Sequence, residues 1–542
     1  MATLHPDPRP DLDEEDEDRT PFVERPPLWS PGSAHWFTIV AFVAGHVALG
    51  AFSDLSPPPL ASMHAFITLV TAVWLVGVRR NAEAMTCIAA YVGASDVLWR
   101  MTSASVPWEV SKIALIVIFA IAAARIVRRP RRIGLPLLSL ILLAPSAVVT
   151  LERFGLGPNG RERLSFELAA HVALVFGVVV LGNLRVERQT LAGILWVIIG
   201  PVVTVNTIAT SGTIGLQAGD YAGNLSNTAA SGGYGPNQVS ALIGVGAMLA
   251  IFLVFFDRRP PLRLFAAVLA VWFLAQSALT FSRGGSFNIV VALIVAIPFF
   301  LRTAQMAMRF FAAAALGALV IGLVMVPVIQ GITGNQFGER FTSSDPTLRT
   351  DLMRSELEAW GENIALGVGV GMMERTVEDE GAAERGELPE LPTHTEYTRL
   401  LAEHGLLGLG VILVLIGLGF RAVRRQTLLD GRIFSIVLVA WCATEVGHSA
   451  TRLGLVPLLF ALASIQVVPN GALEAPGHPS GPDQRQRPVE DQRPPAVARP
   501  RRRQDDPGDL APAGEPAEVR GPPVGGAVER PGGDGPEPEL RA

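Results

Sequence analysis

Ser282-Arg283-Gly284-Gly285-Ser286 sets a guanidinium at the head of a glycine-rich stretch that opens an apolar run. The free N–H groups and positive end of a helix starting there favour an anion. Arg283 adds a donor that can grip phosphate through two N–H groups at once. An arginine that only snorkels to lipid headgroups would occupy the same place, and the Gly-Gly-Ser after it brings the two readings level. A second segment, Ser344-Asp345-Pro346-Thr347-Leu348-Arg349 onward to Trp360-Gly361, has a cap residue, a first-turn proline and a closing glycine. Leu348, Leu352 and Ala359 share one face of the helix this predicts, and Arg349, Met353, Glu356 and Trp360 share another. Such an amphipathic helix can lie on a membrane surface with Arg349 as a second cation above it. Taken alone, Arg349 reads as a solvated charge.

A third segment runs Thr393-His394-Thr395-Glu396-Tyr397 and on through Arg399, Glu403, Gly405 and Gly408. Thr393 and Glu396 have capping-box spacing, which predicts a helix start with His394 in its first turn. The helix dipole disfavours imidazolium there and leaves a neutral ring able to accept a proton. His394, Tyr397, Leu401, Gly405 and Gly408 fall on one face, whose glycines admit a close neighbour. Glu396, Arg399 and Glu403 fall on another and can pair with one another. The plainer reading makes His394 an exposed residue beside a cap and the charges mutually satisfied. In a fourth segment, Tyr234-Gly235-Pro236-Asn237-Gln238, Asn237 or Gln238 can bond sugar hydroxyls, and Asn237 equally suits an N-cap after a turn.

Other chemistries find no footing. Gly367-Val368-Gly369-Val370-Gly371 follows no strand and reads as a flexible loop, not a nucleotide cradle. The one lysine, Lys112, lies outside any glycine-rich context, so there is no P-loop. No His, Cys or carboxylate group has zinc-ligand spacing, and no G-x-S-x-G elbow occurs. Cys87 and Cys442 lie inside apolar stretches and read as small core residues. Neither a metal nor a cofactor is expected.

Helices in a bilayer must position these groups. Of 542 residues only 17% are charged, against about a quarter in soluble domains, and the mean hydropathy is +0.38. A bilayer core of about 30 Å takes about 20 apolar residues per helix. Roughly fourteen stretches qualify on that rule, near 36–53, 60–78, 82–99, 109–127, 133–151, 166–184, 190–209, 237–256, 263–281, 285–301, 310–329, 396–420, 432–448 and 453–468. Asp96 weakens the third; Glu445 and His448 weaken the thirteenth. With those re-entrant the count is about twelve. The expected fold class is an all-α, polytopic transmembrane helical bundle of about 12–14 spans, with a large, partly helical extracytoplasmic loop and disordered termini.

Arg79-Arg80, Arg128-Arg129 with Arg131-Arg132, Arg185 with Arg188, Arg258-Arg259, Arg302 with Arg309, and Arg421 with Arg424-Arg425 occupy alternate connectors. The positive-inside rule places these connectors and both termini in the cytoplasm. Two opposite connectors are long, residues 210–236 and 330–393, and long connectors are usually functional. Residues 1–34, acidic and Pro-rich, and 470–542, rich in Pro, Gly and Arg, read as disordered cytoplasmic tails flanking a transmembrane domain at 35–469. The acidic Asp11 to Asp18 is unlike a signal peptide, so the first span serves as the insertion signal. A net charge of −5 without a basic stripe gives no support for nucleic-acid binding, and no nucleic-acid partner is expected.

The third segment resembles the signature of the bacterial O-antigen ligase and O-antigen polymerase superfamily: His394-Thr395-Glu396-Tyr397, then Glu403-His404-Gly405 and Gly408. Ser282-Arg283-Gly284 is similar to the family's Ser-Arg-Gly at the outer end of a central span. Arg349, Trp360 and Gly367-Val368-Gly369 resemble its large outer loop, and Pro236-Asn237 its Asn-containing start to an earlier span. The resemblance covers roughly residues 230–420. Around fourteen spans exceeds the family's usual dozen or so, and both tails are extra.

The resemblance implies a glycosyltransferase of the cell membrane that works outside the cytoplasm without metal or nucleotide. Its donor would be a glycan on polyprenyl diphosphate, and its acceptor a hydroxyl on a glycan or lipid-linked glycan. Arg283 and Arg349 would stabilise the diphosphate leaving group. His394 would be the base toward the acceptor. Glu396 and Tyr397 would orient donor, acceptor or His394, and Ser282 and Asn237 would line the substrate site. Ligase and polymerase share this machinery. A competing class, a polysaccharide or lipid-linked-glycan transporter or flippase, predicts internal repeats and midplane charges. It would use Asp96, Glu445 and His448.

Overall fold

The computed structural model describes residues 32–473 except 56, 128–129, 131, 222–225, 335, 343–346, 374–394 and 449–452. The chain divides into two units, Met1–Glu474 and Ala475–Ala542; every described element belongs to the first. The expected tails lie outside the described residues, apart from short stretches at 32–34 and 470–473.

In chain order the helices are α1 (Trp36–Leu55), α2 (Pro57–Trp74, continued by a π-helical turn to Arg79), α3 (Ala82–Ala94), α4 (Asp96–Met101), α5 (Val110–Arg125) and α6 (Gly134–Phe154). Then come α7 (Pro158–Leu181), α8 (Arg188–Thr213), α9 (Pro236–Phe256), α10 (Pro260–Leu279) and α11 (Arg283–Phe300). α12 (Ala304–Val320) runs through a π-helical turn into α13 (Val326–Thr333) as one rod. α14 (Gln336–Thr342) and α15 (Thr347–Glu362) follow, then α16 (Glu396–Arg424), α17 (Leu429–Val446) and α18 (Leu455–Ala463).

Among the described residues ten of these rods are long and apolar enough to cross a membrane, and the chain is a multi-pass helical membrane protein. Of the other four stretches expected as spans, three form shorter helices and one is too charged. α3 stops after 13 residues, where the Ser95 hydroxyl bonds back to the Tyr91 carbonyl at 2.8 Å and Asp96 opens α4. α5 has 16 residues and α18 only 9. α17 has 18 residues but carries Asp430, Arg432 and Glu445.

The core is formed by α8 and α9, whose most apolar stretches are 89% and 83% buried, whereas Ala304–Thr333 is 6% buried and faces outward over nearly its whole length. The fold is not purely helical. β1 (Arg185–Glu187) and β2 (Gln466–Val468) pair in parallel, Arg185 opposite Gln466. Behind β2, Asn470 accepts from the Gln189 N–H at 3.1 Å and the Gly471 N–H donates to Glu187 at 2.8 Å. The chain after the last helix is thereby tied to the segment leading into α8. Asp96, which a transporter would use, is a structural tie. It accepts from the Ser111 hydroxyl (2.5 Å) and the Gly454 N–H (2.8 Å) and pairs with Arg100 at 3.2 Å.

Candidate functional site

α11 begins where the sequence predicts. Ser282 is the N-cap and Arg283 the first helical residue, after a tight turn that puts Phe281 at φ 56°. The Ser282 hydroxyl does not cap its own helix; it donates to the Asn237 side-chain oxygen at 2.9 Å. Asn237 is therefore not an N-cap, because α9 starts at Pro236 with Gly235 as the cap. It stands in the first turn and joins the starts of α9 and α11. The two helices touch backbone to backbone just inside: a Cβ on Gly285 would lie 2.1 Å from the Ser240 carbonyl oxygen.

The end of α17 meets this place. Asn288 donates to Glu445 at 2.5 Å, and its side-chain oxygen lies 2.8 Å from His448 Nε2. The His448 ring rests on Gly284, where a Cβ would be 2.7 Å from its Cε1. On its other side the same end of α17 receives Tyr397, whose hydroxyl donates to the Ala443 carbonyl at 2.8 Å. Glu445 and His448, which weaken α17 as a span, hold its end to the Ser282-Arg283-Gly284 segment, while Ala443 holds it to Tyr397.

α16 departs from expectation at its start. The N-cap is Thr395, which accepts from the Thr398 N–H, and the helix begins at Glu396. The expected capping box and first-turn base rest on Thr393 and His394. Both residues fall outside the described set. Arg399 is buried and binds Glu396 (2.5 Å), Glu403 (3.0 Å) and Glu167 of α7. His171, one turn after Glu167, lies 3.5 Å from Glu396. The pairing within α16 follows from its spacing. Its partners on α7 were missed, although an ionisable pair four apart inside an apolar span was the signal.

Gly405 is not a helix-packing glycine. At φ 61°, ψ −139° it breaks α16 in two. The break frees backbone groups that a membrane interior cannot solvate, and the segment between α15 and α16 satisfies them. The Leu406 N–H donates to the Ile364 carbonyl at 2.8 Å, while the Val368 and Gly369 N–H groups donate to Ala402 and Glu403 carbonyls at 2.9 and 3.1 Å. The Gly371 N–H adds a bond to the Glu403 carboxylate at 3.0 Å. Residues 367–371, expected to be a flexible loop, are thus docked. Gly367, Gly369 and Gly371 all have positive φ, between 68° and 106°, as this path around α16 requires.

α15 also docks on α16. Leu352, Glu356 and Ala359 form its buried stripe, and Ala359 packs with Met373 and Ala402. Glu356, assigned from sequence to the opposite face from Leu352, accepts from the Thr398 hydroxyl, and burial pushes its carboxyl up to about 7. Arg349 lies one turn before Leu352; its side chain is outside the described residues. The structure therefore gathers Asn237, Ser282 and Arg283 with Asn288, Glu445 and His448. It links Tyr397 to them through α17 and places Glu396 in the Arg399 network beyond.

Residues 268–413 match the model of the O-antigen ligase family. No curated protein sequence matches the chain. The matched segment runs from within α10 to within the second half of α16 and holds the Ser-Arg-Gly start of α11, the segment between α15 and α16 and the broken helix, so it is this part of the chain that is similar to the O-antigen ligase family.

Proposed function

We propose that the protein is a membrane glycosyltransferase of O-antigen ligase or polymerase type. It transfers a glycan from polyprenyl diphosphate to an acceptor sugar hydroxyl at the outer face of the cytoplasmic membrane, with both termini in the cytoplasm, in surface polysaccharide assembly. One observation carries this reading. The end of α17 brings the Arg283 segment and the Tyr397 segment together within the part of the chain that matches the family.

In this reaction the acceptor oxygen attacks the anomeric carbon, the bond from that carbon to the diphosphate oxygen breaks, and polyprenyl diphosphate leaves with the electron pair. The acceptor proton passes to His394 as base. Arg283, at the positive end of α11, and Arg349 offset the charge that develops on the diphosphate. Ser282 and Asn237, bonded to each other, present polar atoms beside Arg283. Tyr397 fixes α16 against α17, and Glu396 belongs to the ion network beneath. The diphosphate is already an activated leaving group, so the step calls for neither nucleotide nor metal.

The test is glycan output from a deletion strain complemented with wild type, Arg283→Ala or His394→Ala, each checked for membrane level. The expected result is a long or ligated surface glycan with wild type only, and accumulation of lipid-linked units with both variants. The size of what accumulates separates polymerase from ligase. Full complementation by both variants would remove the site, and unchanged lipid-linked glycan in the deletion strain would remove the function.

A further inference from the structure

An elongated cavity of about 670 Å³ lies between α7, α16, α17 and α18. Its wall on α16 runs from Glu396 to Arg424. Beyond the Gly405 break, the helical stretch from Ile412 to Arg424 spans about 18 Å at 1.5 Å per residue. The middle is apolar, formed by residues such as Leu400, Ile412, Leu415, Ile416 and Val439. The ends differ in charge. One is formed by His171, Glu396 and Tyr397, the other by Arg302, Arg424 and Arg432.

The arginine end is built but not neutralised. The Arg302 and Arg424 guanidinium groups rest over the Phe299 and Phe420 rings at 5.2 and 5.0 Å, and both rings line the cavity. Arg432 donates from Nε to the Gln426 carbonyl at 2.9 Å. Among the described residues none of the three pairs with a carboxylate; the nearby Asp430 is taken by Arg188 at 2.9 Å. Three like charges held at the mouth of an apolar slot have one complement in a membrane: a phosphate headgroup carrying a hydrocarbon chain.

We propose that this cavity is a binding site for an anionic phospholipid of the cytoplasmic leaflet. Its headgroup sits on Arg302, Arg424 and Arg432, and an acyl chain runs between α16 and α17 toward Tyr397. The direction of the occupant follows from the ends. A lipid diphosphate entering from the other side would meet the Glu396 carboxylate, backed by Glu167 and Glu403, and the cation there, Arg399, is already bound by all three. The acyl chain ends beneath the Tyr397–Ala443 bond, so occupancy holds α16 and α17 at the separation that bond needs. The site depends on the membrane-spanning fold and its orientation and not on glycosyl transfer.

The test is direct binding to the full-length protein, purified in detergent and stripped of native lipid, with phosphatidylglycerol and phosphatidylethanolamine as the two probes. Saturable binding of phosphatidylglycerol at least tenfold tighter than phosphatidylethanolamine is expected. Arg302→Gln, Arg424→Gln and Arg432→Gln together should weaken it at least tenfold, and Ile416→Trp, which fills the slot from its exposed wall, should weaken it too. Arg79→Gln with Arg80→Gln, on the same side but outside the cavity, should leave it unchanged. Equal binding of the two lipids by wild type, which needs no variant, would overturn the proposal. So would wild-type affinity in the triple variant, or one-for-one displacement of phosphatidylglycerol by a polyprenyl monophosphate.

Discussion

The Tyr397 hydroxyl donates to the Ala443 carbonyl at 2.8 Å, three residues before the α17 C-terminus. This bond ties the first turn of α16 to the helix end whose His448 leans on Gly284. Two sequence motifs more than a hundred residues apart thus meet through a third element that carries neither of them.

Tyr397→Phe removes that bond and keeps the ring. A net hydrogen bond contributes about 1 kcal/mol, so thermal unfolding in detergent should fall by only a few degrees. Glycan transfer should fall by more than this small loss of stability explains, because the α16–α17 separation is no longer fixed. Tyr397→Ala should be more severe in both measurements. Wild-type transfer by Tyr397→Phe would show that the ring alone positions the two helices.

Among the described residues Arg399 is the cation that three carboxylates share, Glu396 and Glu403 buried and Glu167 partly so. Removing one partner of a buried ion network typically costs about 3–5 kcal/mol. Arg399→Leu should therefore give little monodisperse protein, whatever its effect on chemistry. Adding Glu403→Leu, which removes one of the stranded carboxylates, should recover part of the yield on size-exclusion chromatography. A stable Arg399→Leu single variant would show that the carboxylates accept protons at little cost.

Glu356 gives the docking of α15 a pH dependence with a definite sign. Its carboxyl is pushed from 4.5 up to about 7 by burial, with Glu396 adding to the rise, while the Thr398 bond and Arg399 oppose it. The folded protein then binds more protons than the unfolded chain between about pH 4.5 and 7, so this group's contribution weakens as pH rises through that window. At about 1.4 kcal/mol per unit the span is roughly 3 kcal/mol. Thermal unfolding of wild type at pH 5 and pH 8 should show the loss. Glu356→Gln should remove most of that slope and be the more stable protein at pH 8. A slope unchanged by Glu356→Gln would assign it to another group.

The long spans were legible because a bilayer imposes length and apolarity on every helix that crosses it, and both can be read from composition. The Glu396, Arg399 and Glu403 pairing was legible for a similar reason, since helical spacing alone brings the three together. What stayed hidden depends on contacts between distant segments. Gly405 at helical spacing reads as a packing glycine, and only the folded backbone, with the Ile364 carbonyl taking the Leu406 N–H, shows a break. Residues 367–371 read as a flexible loop because their partners, the Ala402 and Glu403 carbonyls, are free only once that break exists. Glu445 and His448 counted against a span because polar groups oppose insertion, and nothing local reveals that Asn288 receives both.

The contact between Gly284 and His448 can be separated from the chemistry beside it. A Cβ on Gly284 would lie 2.7 Å from His448 Cε1 and 3.3 Å from Nδ1. Gly284→Ala must therefore push the ring away and strain or break its 2.8 Å contact with Asn288. The prediction is reduced thermal stability and reduced glycan transfer for Gly284→Ala. His448→Ala makes room for the new methyl group, so the double variant should be less destabilised than the two single effects added together, as expected for neighbours in contact. Transfer then decides what His448 does. If it recovers along with stability, the ring is only a spacer between α11 and α17. If stability recovers and transfer stays low, His448 acts in the site beside Arg283. Strict additivity of the two stabilities would mean that the ring and Gly284 do not touch.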